Sequence, residues 1–261
     1  MDSVGGRPQS LITDQAAFLE QLDQVGVRSL KTAILAGGAG TRLYPLTAYV
    51  PKSLIPIGSR YMIEYILDYL KRYNILDVLM LVSENEVDLL RNHLGDGERF
   101  GLRIGYSVAG RIGTAGALGS AASLLDDRFL VYYGDVLTSI DLSDMIGFHQ
   151  KSRALCTIAM STSEPMDYGI AKVARDGRVS HFEEKPVLKE YPVSMGILMC
   201  EKEILDYCKP NTDLSHDIIP TLLAEKKPVF AYVTEKRHYD IGTFKNLEEL
   251  RGILERNKEL F

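Results

Sequence analysis

No apolar run in the chain reaches the roughly 18 to 20 residues that a membrane-crossing helix requires, so a transmembrane protein is not expected. The N-terminus, MDSVGGRPQS, lacks a basic stretch followed by an apolar core; it does not read as a secretory leader, and the cytoplasm is the expected location. Basic residues are not in excess. Formal net charge is −5, which removes the whole-chain footprint of a nucleic-acid binder while leaving room for a local cationic site. Cysteine is sparse: Cys156, Cys200 and Cys208, with no CxxC spacing, give neither a disulfide framework nor a zinc site, and buried reduced thiols are expected. The five histidines show no HExxH or comparable ligand spacing. Low-complexity segments and internal repeats are also absent. What remains is 261 residues with 46% apolar and 25% charged side chains, enough to bury a sizeable core in one large domain.

Strand and helix patterns alternate from Leu30 onward. Thr32 to Ala36, Asp77 to Val82, Leu102 to Val108, Arg128 to Tyr133 and Ala154 to Met160 read as buried strands. Helices are expected over Tyr61 to Tyr73, Asn85 to Leu94, Ala115 to Leu125 and Leu142 to Lys151. The tail, from Asp217 to Asn257, reads as helix, strand (Pro228 to Val233) and helix. This order predicts an α/β fold with a doubly wound, mostly parallel sheet. Ser161 to Cys200 breaks the rhythm. Its short strand candidates, Ile170 to Val173, Val179 to Phe182 and Val193 to Met199, predict a β-rich insertion beside the main sheet. Residues 1–29 read as an extension with a short helix from Thr13 to Val25, and residues 30–261 as the catalytic domain.

The most informative segment is LAGGAGTRLYPLTAYVPKSLIPI, from Leu35 to Ile57. Gly37, Gly38 and Gly40 follow a buried strand, where they let the backbone turn tightly and bring N–H groups to a phosphate. Arg42 adds a planar cationic fork, and Lys52, after Pro51, a second cation. Two familiar phosphate loops are excluded: Leu43 stands where GxGxxG needs its last glycine, and no GK[ST] is present. Asp135, in YYGDVL, follows another buried strand, where an α/β sheet binds its ligands. Asp240 lies in YDIGT. One or two carboxylates with substrate oxygens are a usual Mg²⁺ environment. Alone, either aspartate reads equally well as a solvated turn, and FEEKP, with Glu184 and Lys185, as an ordinary charged turn.

GGAGTRLYPLTAYVPKSL closely resembles the signature of the sugar-phosphate nucleotidyltransferases, or nucleotide-sugar pyrophosphorylases, and later segments match in order. The resemblance implies a Rossmann-like, glycosyltransferase-A-like fold that joins a nucleoside triphosphate to a sugar 1-phosphate and releases pyrophosphate. It implies that Ala36, Gly37, Gly38, Gly40, Thr41, Arg42, Lys52, Gly113, Thr114 and Gly134 bind nucleotide. By the same resemblance Gly169, Glu184, Lys185, Ser194 and Gly196 bind sugar phosphate, Asp135 and Asp240 hold Mg²⁺, and Arg42, Lys52, Asp135, Lys185 and Asp240 are the catalytic set.

The loop Gly113 to Leu118, GTAGAL, is nearest to that of mannose-1-phosphate guanylyltransferases. Val108, Ala109 and Gly110 stand where a Glu usually precedes that loop, and Ser194 where an Asn is frequent. GTP with mannose 1-phosphate is the expected pair, and dTTP or UTP with glucose 1-phosphate the alternative. A catalytically silent regulatory relative, or a cytidylyltransferase for a non-sugar phosphate, is disfavoured because all five charged residues and the EKP segment are present. No hexapeptide repeat occurs, so no C-terminal β-helix is expected. Expected partners are the two substrates; neither nucleic acid nor membrane is expected, and a homo-oligomer is left open.

Overall fold

The computed structural model describes residues 30–256 apart from Ala39, Asp167 and Leu188. The helix expected over Thr13 to Val25 lies outside these residues. Chain order begins with strand β1 (Lys31–Leu35), the short pair β2 (Pro56–Ile57) and β3 (Arg60–Tyr61), helix α1 (Met62–Arg72), β4 (Asp77–Val82), α2 (Val87–Leu94), β5 (Arg103–Val108) and α3 (Gly113–Ser120). Then come β6 (Arg128–Tyr133), β7 (Val136–Thr138), α4 (Leu142–Ser152), β8 (Cys156–Ser161), β9 (Ile170–Val173), β10 (Val179–Glu183) and β11 (Val193–Glu201). Helix α5 (Ile219–Ala224), β12 (Val229–Thr234), β13 (His238–Asp240) and α6 (Phe244–Arg256) complete it.

Seven strands form the main sheet in the order β12-β8-β11-β6-β1-β4-β5. β1 pairs in parallel with β4 on one side and β6 on the other. The crossovers therefore run outward from β1 through β4 to β5 and then return to β6. That reversal is a topological switch point, and it opens a crevice beyond the carboxyl ends of β1 and β6.

Strands buried on both faces read as continuous apolar runs because each residue meets one helical layer or the other. Ile34, Met80, Leu130 and Tyr132 pack on the face carrying Ile63, Ile66 and Leu70 of α1. Ala33, Leu79, Phe129 and Val131 pack on the opposite face with Ala115 and Leu118 of α3. The apolar stripe of α1 drives its docking, and its last turn carries Lys71 and Arg72, favourable for the helix dipole.

Three sequence expectations change. Val193 to Met199 was expected within the insertion, yet β11 runs in the sheet, antiparallel to both β6 and β8. Of the three strands expected in the insertion, β9 and β10 alone stand apart, as a two-stranded unit. The helix expected over Ala115 to Leu125 starts earlier, at Gly113, and ends at Ser120 before a 3₁₀ turn. The helix expected from Asp217 is a π-type turn, Leu214–Ile218, leading into the short α5. The three cysteines are buried and free, as expected.

Candidate active site

The glycine segment leaves β1 at the switch point. A Cβ on Gly37 would sit 3.1 Å from Ser83 N and 3.3 Å from Val82 C, so the chain passes β4 closely only because side chain is lacking there. Gly134 makes a similar approach on the other flank, donating its N–H to Leu35 O at 3.0 Å. These contacts hold the glycine backbone and the exit of β6 side by side.

Two pairs of charged groups lie around this end, Lys52 with Asp135 and Arg42 with Asp240. Lys52 lies in a 3₁₀ turn, Lys52–Leu54, entered from Pro51, and its ammonium pairs with the Asp135 carboxylate. The two side chains are only 16% and 25% exposed, which separates the pair from an ordinary solvated surface bridge. Asp135 is tied to the second aspartate through the backbone: its carbonyl accepts from Ile241 N at 3.0 Å, and Asp240 faces Val136 in the β7–β13 ladder. Asp240 Oδ1 accepts from Gly242 N at 2.5 Å and Asn246 Nδ2 at 3.1 Å. Arg42 comes from an exposed 3₁₀ turn, Thr41–Leu43; its Nη2 is 3.4 Å from where a Cβ on Gly242 would lie, so the guanidinium overhangs the Asp240 turn.

The carboxylates fit a divalent cation on these observations. They come from adjacent, backbone-linked strands, and Asp240 Oδ1 is oriented by two donors. Two carboxylates suffice for Mg²⁺, which keeps several waters and takes further oxygens from phosphates. No third His, Cys, Asp or Glu joins them among the described residues.

A cleft of about 400 Å³ extends from this charged end. Of the expected nucleotide residues, Ala36, Gly37, Gly38, Lys52, Gly113, Thr114 and Gly134 line it, with Asp135. Gly40, Thr41 and Arg42 do not; Gly40 packs on Thr47 with φ 59°. Gly113 begins α3 with φ 79° against the Thr212 backbone, a conformation that suits glycine. The first turn of α3 is fixed by Asp213, whose Oδ1 accepts from Thr114 N (3.1 Å) and Thr114 Oγ1 (2.8 Å).

Tyr133 and Asp213 also line the cleft, as do Ser83 and Arg111. These four were missed at the level of sequence. The usable signal was position, since Ser83 and Tyr133 stand at carboxyl ends of sheet strands. Burial pushes the Tyr133 hydroxyl up, which keeps it a neutral hydrogen-bonding group.

A second cavity, of about 420 Å³, is the one that Asp240 lines. Glu164 and His238 form its polar wall. The Glu164 carboxylate accepts from the His238 N–H at 2.8 Å and lies 3.0 Å from His238 Nδ1. Burial pushes this carboxyl up, but the His238 hydrogen bonds and the charges of His238 and Arg237 outweigh it and hold it below the usual carboxylate range.

None of the five expected sugar-phosphate residues lines either cavity. Gly169 lies beneath Phe182 and Glu184, where a Cβ would be 2.7 Å from Glu184 Oε2. Glu184 and Lys185 are exposed beyond β10, and Lys185 has φ 49°. Ser194 is exposed on β11 opposite Met160, beside Val193, which does line the second cavity. Gly196, φ 69°, packs against the Tyr133 ring.

The family model for nucleotidyl transferases matches residues 31–257, nearly all of the chain. The chain belongs to this nucleotidyl transferase family. The chain is 31% identical over 249 residues to a Synechocystis protein named UTP–glucose-1-phosphate uridylyltransferase, covering 87% of this chain and 64% of the relative. It is 32% identical over 226 residues to a Kluyveromyces lactis mannose-1-phosphate guanyltransferase, covering 82% and 61%. It thus spans less than two thirds of the length of both. Among solved structures, a Bacillus anthracis protein described as a glucose-1-phosphate thymidylyltransferase superposes with a TM-score of 0.69 at 25% identity, covering 86% of this chain and 95% of the other. No helix among the described residues is long and apolar enough to cross a membrane.

Proposed function

We propose that the protein moves a nucleoside monophosphate from a nucleoside triphosphate to a sugar 1-phosphate, releasing pyrophosphate and a nucleotide sugar. The observation that carries this reading is the Lys52–Asp135 pair at the head of the glycine-lined cleft, with Asp240 beside it. The relatives named for guanylyl and uridylyl transfer to sugar 1-phosphates support it. GTP with mannose 1-phosphate remains the preferred pair, on the GTAGAL loop. The Synechocystis relative favours a second reading, UTP with glucose 1-phosphate.

A sugar-phosphate oxygen already carries negative charge, so attack on the α-phosphorus needs no protein nucleophile. The pyrophosphate departs opposite the entering oxygen. What the protein must do is align two anions that repel each other and offset the charge that builds on the leaving group. Backbone N–H groups of Gly37 and Gly38 cradle the phosphates. Lys52 exchanges Asp135 for a phosphate oxygen, and Arg42 closes from above the Asp240 turn. Lys185 meets the sugar phosphate, a role that requires the β9–β10 unit to approach the cleft.

Family members generally use a divalent metal, and Mg²⁺ is the ion proposed here. Asp135 and Asp240 would hold it, where it would supply positive charge to the phosphate oxygens. The free thiols suit a reducing compartment, in keeping with a cytoplasmic enzyme.

The test is pyrophosphate release with Mg²⁺ across a grid of five nucleoside triphosphates and several sugar 1-phosphates. Release only when both partners are present supports the reading. Folded protein that is silent throughout, yet binds nucleotide sugars, would overturn it in favour of a regulatory role.

A further inference from the structure

The cleft has a length and a direction. It crosses the carboxyl ends of four neighbouring strands: Asp135 after β6, Gly37 after β1, Ser83 after β4 and Arg111 after β5. Neighbouring strands lie about 4.8 Å apart, so three spacings give roughly 14 Å. That separates the phosphate-holding end from a second polar end, as a nucleotide separates its phosphates from its base.

Toward this end, two strands from Asp135 and next to Gly37, Ser83 is buried on the floor, 8% exposed. Its hydroxyl donates to Glu86 Oε2 at 2.5 Å, so only its lone pairs are left to face a ligand. Glu86 is fixed in turn, since its own N–H donates to Ser83 O at 3.1 Å. Arg111 stands exposed on the rim. Its guanidinium has no hydrogen-bond partner among the described residues. The end therefore offers an acceptor below and a fork of donors above.

We propose that Ser83 and Arg111 read the base edge, with Glu86 as a positioning residue for the Ser83 hydroxyl, and that they select lactam bases (guanine, uracil, thymine) over adenine and cytosine. A lactam presents a ring N–H beside a keto oxygen; the N–H meets Ser83 and the oxygen meets Arg111. In the same pose adenine or cytosine sets a ring-nitrogen lone pair against Ser83 and an amino group against Arg111. Acceptor then faces acceptor and donor faces donor, and both protein groups lose their partners on desolvation.

This inference rests on the cleft being a nucleotide site, and equilibrium binding separates the two. Calorimetry without sugar phosphate compares GTP and UTP with ATP and CTP, each with Mg²⁺, and inorganic tripolyphosphate serves as a base-free probe. The protein should prefer the lactam pair by about tenfold or more. Arg111→Ala should reduce the preference to within about threefold and leave tripolyphosphate affinity unchanged. Glu86→Gln, whose amide can donate to Ser83 and turn the hydroxyl proton toward the ligand, should also reduce the preference, with an unaltered melting temperature confirming the fold. A wild-type preference for ATP or CTP overturns the proposal. So does an unchanged ratio in both variants, or a loss of tripolyphosphate affinity in Arg111→Ala. Failure of the wild type to bind tripolyphosphate at all would sink the nucleotide reading itself, and this one with it.

Discussion

At the scale of single residues, the proposed chemistry concentrates on the Lys52–Asp135 pair. Its two charges are partly desolvated and compensate each other until ligands arrive. Asp135→Ala should lower metal-dependent turnover by on the order of 10³-fold, with little change in melting temperature. Near-normal turnover in that variant would remove Asp135 from the mechanism. Lys185→Ala tests the second substrate: the KM for sugar phosphate should rise about tenfold or more while nucleotide affinity holds. The opposite pattern would show that Lys185 serves the nucleotide.

Lys52 and Asp135 were both legible in the sequence, because each sits in a short pattern beside a buried strand. Ser83, Arg111 and Asp213 were not. A polar residue in a turn carries no local mark of function: only the sheet order shows that the turns after β4 and β5 border one cleft, and only the tertiary contact with Thr114 brings Asp213 to it. Glu184 and Lys185 were legible only by resemblance, and the structure sets them outside both cavities.

Among elements, α3 and α4 show how local sequence is overruled or obeyed. α4 obeys: Asp141 caps it, accepting from Ser143 N at 2.9 Å and Asp144 N at 3.1 Å, so its start could be read directly. α3 has no such cap of its own and borrows Asp213 from far along the chain, which no local pattern announces. Gly113→Ala forces a side chain into the left-handed region against Thr212; a cost of about 1–3 kcal/mol is expected in denaturant unfolding.

On α4 itself, His149 is fully buried against Thr157 and Glu201. Burial outweighs the Glu201 contacts and lowers its pKa, so the folded protein favours neutral imidazole. As pH falls below the unfolded value of about 6.5, the unfolded chain takes up a proton that the folded chain resists. Stability should therefore fall from pH 7.5 to pH 5.5 by more in the wild type than in His149→Gln. Equal losses in urea midpoints would show that His149 does not govern this window.

For the whole molecule, the alternation of strands and helices made the doubly wound class readable. The direction of β11 stayed hidden, since a strand buried on both faces gives the same apolar run whichever way it points. Ligand linkage is a whole-molecule readout. A nucleoside triphosphate at 100 times its Kd should stabilise the fold by about 2.7 kcal/mol, seen as a raised melting temperature in wild type and a smaller rise in Lys52→Ala.

β11 has one more consequence, and it concerns time. Without it the sheet is two parallel blocks, β6-β1-β4-β5 and β8-β12, which meet only through this antiparallel strand. β1 must wait about 100 residues for β6, roughly 5 to 20 seconds of ribosomal synthesis, and β6 must wait again for β11. Through that interval the growing chain presents an unpaired apolar edge. A nascent chain long enough for β11 to have left the ribosome should lean on chaperones less than one halted before Val193, and more than one that has also released β12, which covers the other edge of β8.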